Sequence, residues 1–63
     1  MDEKAAIIHA RCTVAMIRAM ALAAENQVAV QRGESVPYGR QDFENIIVEE
    51  GVHWNSIYGV LYQ

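Results

Sequence analysis

The 63-residue chain has one cysteine, Cys12, one proline, Pro37, and four glycines, none of them before Gly33. A single cysteine excludes an intramolecular disulfide and suits a reducing compartment, so a cytoplasmic protein is expected. A structural zinc takes four ligands, and Cys12, His9 and His53 are the only thiol and imidazole groups, so neither a metal nor a cofactor is expected. No Lys or Arg follows Arg40, while Asp42, Glu44, Glu49 and Glu50 lie in that stretch. Phosphate contacts need clustered cations, so a nucleic-acid polymer is not the expected partner. The N-terminus opens on Asp2 and Glu3 rather than a basic run, which argues against a secretory signal. Ala5 to Ala24 is long enough to span a bilayer, but Arg11 and Arg18 interrupt it at about 2.5 to 3.5 kcal/mol each, so no membrane association is expected.

A chain this short buries only about 60% of its unfolded surface and usually needs a disulfide, a metal or self-association to be stable. With the first two set aside, assembly of identical copies is the expected remedy. The net charge of −3 is uneven: residues 1 to 33 balance at +1 and residues 34 to 63 at −4.

The absence of Gly and Pro before Gly33, together with many Ala, Met and charged residues, predicts one long helix over about 2–32. Asp2 suits its N-cap and Gly33 its stop. Gly33 to Gly39 is turn-forming, with Ser35 a candidate cap for a turn led by Pro37. A second helix is expected over about 40–50, carrying a buried stripe of Phe43, Ile46 and Ile47, and ended by Gly51 and Val52 in a Schellman stop. The stretch 53–62 suits either a short helix or a strand; Trp54, Ile57, Tyr58 and Leu61 recur at helical spacing and a lone strand would have no partner, so a third helix over about 53–62 is favoured. The expected fold class is all-α: a single domain over 1–63, one long N-terminal helix and two short ones, assembled as a helical homo-oligomer through the alanine-rich first helix.

Projected at 100° per residue, the first helix has four faces. Asp2, His9, Thr13, Gln27 and Gln31 form a polar strip. Roughly opposite runs a row seven residues apart, Lys4, Arg11, Arg18, Glu25 and Arg32, holding four of the chain's five Lys and Arg. Between them lie two apolar faces: Ile7, Ala10, Val14, Ile17, Ala21, Ala24 and Val28 on one side, Ile8, Cys12, Ala15, Ala19, Ala23 and Val30 on the other. A monomer's surface helix needs one apolar face, so two imply contact on two sides.

Arg11 and Arg18 lie deep in this apolar helix. They face either solvent or a cavity or subunit interface, where a guanidinium requires a carboxylate or phosphate. Tyr38 beside Arg40 offers a stacking plane and a cation, and a loop anchor is the equal alternative. Phe43, Trp54 and Tyr58 are the natural core aromatics, with base stacking as the alternative use of the latter two. A helix-turn-helix reader around Gly51 has the wrong charge for DNA. Cys12 and His53 lack an orienting third group, so Cys12 reads as a buried structural thiol and no enzyme is expected.

Glu25-Asn26-Gln27, Arg32-Gly33-Glu34-Ser35, Tyr38-Gly39 and Phe43 together resemble small bacteriophage and prophage proteins over about twenty residues. The resemblance implies a non-enzymatic counter-defence protein of the host cytoplasm that works by binding. Under it, a small anionic or cyclic nucleotide is sequestered at subunit interfaces, with Arg11, Arg18, Arg32 and Arg40 on phosphate and Tyr38, Trp54 or Tyr58 stacked on the base. The alternative is a module that inhibits or adapts a host protein through its acidic C-terminal half.

Overall fold

The computed structural model describes residues 2–62. They form an all-helical chain: α1 over Glu3–Gln31, α2 over Arg40–Glu49 and α3 over Trp54–Leu61. A helix of 29 residues is about 43 Å long, and it sets the longest of the three dimensions, 48 × 20 × 10 Å. Together α2 and α3 make a bent second segment that folds back along α1, giving a layer only two helices thick.

Local chemistry fixes each end. The Asp2 carboxylate accepts from the Ala5 N–H at 2.8 Å, capping α1. At the other end Gly33 takes φ 73°, Glu34 N–H donates to Ala29 O at 2.9 Å and Gly33 N–H to Val30 O at 3.0 Å. That pair of bonds is a Schellman stop. The same pair closes α2: Gly51 takes φ 67°, Val52 N–H donates to Ile47 O and Gly51 N–H to Val48 O. At the start of α2 Gly39 is the N-cap residue, and the Asp42 carboxylate accepts from its N–H at 2.9 Å. His53 caps α3, its Nδ1 accepting from Asn55 N–H at 3.3 Å.

Among the described residues, Ala29, Ile46 and Val60 are buried, one from each helix. The face of α1 against the second segment gathers Ala5, Ile8, Arg11, Ala15, Arg18 and Leu22 before Asn26 and Ala29. This covered stripe is rotated from the expected one toward the charged row. Cys12, Ala23 and Val30, expected on it, are exposed, and Cys12 is an exposed thiol rather than a buried one. The rotation follows from the arginines, whose aliphatic stems lie against the second segment while their heads reach its carbonyls and acids.

The inward side of α3 also differs from expectation. Val60 faces in with Ile57 half-buried, while Trp54, Tyr58 and Leu61 are exposed. A β-branched side chain lets α3 approach α1 closely, and a layer this thin has no depth for an indole. In α2, Ile46 is buried and Phe43 half-buried, whereas Ile47 is exposed.

Candidate functional site

The charged row, read along α1, meets the second segment at successive ends and turns. Lys4 Nζ donates to Leu61 O at 3.1 Å, at the C-terminus of α3. Arg11 Nη1 donates to Gly51 O at 3.4 Å, just past the C-terminus of α2. Arg18 pairs with Glu49 at 3.3 Å and Glu50 at 3.9 Å in the last turn of α2 and its C-cap. Each cation thus sits where a helix leaves carbonyls unsatisfied and its dipole is negative. Arg11 is half-buried, whereas Arg18 makes a surface pair, its side chain 41% exposed. Their partners come from the chain's own second half.

Further along the row, Glu25 stands against the Tyr38 hydroxyl. As hydrogen-bond acceptor and as a negative charge it holds the Tyr38 phenol above its ordinary pKa of 10.0. The neighbouring Asn26 clamps the same residue by its backbone: Tyr38 N–H donates to Asn26 Oδ1 at 3.0 Å, and Asn26 Nδ2 donates to Tyr38 O at 2.8 Å. Two bonds from one side chain fix the 33–39 loop on α1, so Glu25-Asn26 and Tyr38-Gly39 form one structural unit. Sequence reasoning gave Asn26 no role. Its signal was an amide inside a run of strong helix formers, where such a side chain competes with the backbone unless it has another partner.

Beside the loop so fixed lies an open, shallow groove of about 410 Å³ lined by Ala24, Glu25, Val28, Ala29, Arg32, Glu34, Pro37 and Tyr38. The volume falls within the range of small-molecule sites. Of the expected ligand residues, Arg32 and Tyr38 line it. Among the described residues Arg32 forms no ion pair, in contrast to Arg18 and Arg40.

The other expected ligand residues lie elsewhere. Arg40 pairs with Glu44 one turn on, at 2.8 Å. Trp54 and Tyr58 belong to an exposed aromatic ladder completed by Tyr62. The Trp54 and Tyr58 rings meet edge-on with centroids 5.8 Å apart, and Tyr58 and Tyr62 are 4.5 Å apart at 33°. Trp54 is 65% and Tyr62 70% exposed. Tyr62 was legible as the third member of an (i, i+4, i+8) series. Arg11 and Arg32 are separated by roughly 30 Å along the axis of α1, so one protomer does not bring the seven residues onto one small ligand.

Chemically, then, the described residues present a groove where Arg32 and Tyr38 stand with two carboxylates, Glu25 and Glu34, an exposed aromatic and aliphatic surface on α2 and α3, and an exposed apolar face on α1. Comparison with protein-family models, with curated proteins and with solved structures gives no match.

Proposed function

We propose that this is a non-enzymatic protein-binding module of the cytoplasm that acts as an assembly of identical copies and engages a partner protein through the outward sides of α2 and α3. The observation that carries the reading is the exposed aromatic ladder of Trp54, Tyr58 and Tyr62, together with exposed Val48 and Ile47. Large aromatics held on a rigid helix lose little entropy on binding and dominate interface energetics. The acidic balance of the second half, −4 before Arg18 neutralises part of it, suits a basic partner surface. On the resemblance to small phage proteins, the proposed partner is a protein of the host cell and the proposed setting is counter-defence. The lone, exposed thiol of Cys12 suits a reducing cytoplasm.

By length and composition α1 is also able to cross a membrane. Spanning would strip Arg11 and Arg18 from Gly51 O and from Glu49 and Glu50, leaving two guanidinium groups to be paid for in hydrocarbon.

A second reading is favoured by the groove: sequestration of a small anionic nucleotide, with Arg32 on phosphate and Tyr38 against the base. It now rests on these two residues, because Arg11, Arg18 and Arg40 already have partners.

The two readings separate on paired variants. Immobilised protein retains one defined host protein, and the Trp54→Ala/Tyr58→Ala double variant loses it while Arg32→Ala keeps it. A calorimetric panel of cyclic and linear nucleotides is expected to give no heat. Heat that disappears in Arg32→Ala, with no dependence of capture on Trp54 and Tyr58, would transfer the conclusion to the nucleotide reading.

A further inference from the structure

Ile7, Val14, Ala21 and Val28, alternating with Ala10, Ile17 and Ala24, form an unbroken series of three- and four-residue steps over most of α1, and every one of them is exposed. This is the seam of a coiled coil, on the side of α1 away from the second segment. A folded monomer of 7.1 kDa exposes about 4,100 Å². This chain exposes 4841 Å². The excess, roughly 750 Å² per copy, is what each partner contributes to a standard interface.

We propose that a second copy of this chain occupies the seam in antiparallel sense, setting Val14, Ile17 and Val28 of one copy opposite Ala24, Ala21 and Ala10 of the other. The proposal rests on the self-association put forward above and adds its surface, sense and register. Side-chain size decides the sense. A parallel pair stacks like on like, so the Ile17 layer holds the helices apart where the Ala21 and Ala24 layers need them close. In the antiparallel register each of those layers joins one β-branched residue to one alanine, and the helix separation stays constant.

Charge does not add to this choice: a parallel pair would set the charged flank against an uncharged one, whereas the antiparallel register brings the two charged flanks together, so side-chain size alone carries the sense. One flank of the seam, Ala6, Thr13, Met20 and Gln27, is uncharged. The other flank is the row Lys4, Arg11, Arg18, Glu25 and Arg32. The register sets Arg11 beside Glu25 of the second copy, twice by symmetry. The two Arg18 side chains meet at the two-fold axis already paired with Glu49 and Glu50. Lys4 and Arg32 of the second copy face each other only at the solvated ends. Ala24 and Val28 also line the groove, and Ile7 of the second copy falls beside Val28, so assembly narrows that groove.

The test uses full-length protein carrying Cys12→Ser, mixed as Ala10→Cys and Val28→Cys variants and oxidised. The expected product is the mixed disulfide between the two variants. Ala10→Cys pairing with itself instead would overturn the antiparallel sense. In parallel, Ala21→Asp is expected to keep its far-ultraviolet helix signal and to sediment as a monomer. A dimer that survives Ala21→Asp rejects the seam while leaving self-association standing, and a wild-type monomer rejects both. Phosphatidylcholine vesicles that bind wild-type protein as monomers would overturn the proposal in favour of a membrane occupant.

Discussion

The two long sides of α1 contain the same kinds of residue and meet opposite fates. One side carries Ile8, Ala15, Leu22 and Ala29 and is covered by α2, α3 and the loop. The other carries Ile7, Val14, Ala21 and Val28, all exposed, with only its Val28 end beside the groove under the loop. Apolar content does not separate them. The row of Lys4, Arg11, Arg18 and Glu25 does, because it lies along the edge of the covered side and finds an acceptor or donor at nearly every end and turn of the second segment. The row marks the covered side, while the burial of Ala29, Ile46 and Val60 holds it closed, since exposed pairs of this kind contribute about 0 to 1 kcal/mol each.

The strongest way to break the comparison is to remove the largest of the buried side chains, Ile46 of α2. Ile46 is 3% exposed, and Ile46→Ala is expected to cost about 3 kcal/mol. In a fold this thin that leaves the chain largely unfolded, as circular dichroism melting will record. An equal truncation on the bare side, Ile17→Ala, is expected to change monomer stability by less than about 0.5 kcal/mol.

Next in size is the loop clamp. Asn26→Ala leaves the Tyr38 N–H and C=O without their partner, a loss of about 2 kcal/mol. Denaturant unfolding gives its magnitude, and hydrogen exchange is expected to show it first in residues 33–39.

A sharper contrast comes from the two glycine stops. Both have positive φ, where an added Cβ costs about 1 kcal/mol or more. A Cβ at Gly33 meets open space, whereas at Gly51 it meets Arg11 Nη1 at 3.1 Å. Gly51→Ala is therefore expected to destabilise more than Gly33→Ala, with the difference disappearing when both are made in an Arg11→Ala background. Equal costs in the native background would mean that Arg11 does not hold the α2 corner.

The smallest effect is the phenol of Tyr38. Glu25 raises it above 10.0, so the contact contributes stability below that pH and loses it as the pH rises through the raised value. Ultraviolet titration of the folded protein is expected to show a tyrosinate appearing at lower pH in Glu25→Gln than in the native chain.

Much of this architecture was legible in the residues. The glycine-free run, Asp2, Gly33 and Gly51 mark their caps and stops through local backbone chemistry, which needs no knowledge of distant neighbours. The partners of Arg11 and Arg18 were not legible, because they lie 31 to 40 residues away and depend on how the second segment crosses α1. The orientation of α3 was hidden for a related reason: Trp54, Ile57, Tyr58, Val60 and Leu61 leave an eight-residue helix apolar nearly all round, so periodicity does not choose its inner side. Of the expected ligand residues, Arg32 and Tyr38 share a groove. That pairing was unreadable without the turn that Asn26 fixes.

The central claim is that the bare side of α1 is covered by a second copy of the chain. Sedimentation equilibrium of the native protein at micromolar concentration tests it most directly. The account predicts a species of twice the 7.1 kDa chain mass that dissociates on dilution. A single well-folded species at 7.1 kDa across that range would contradict it.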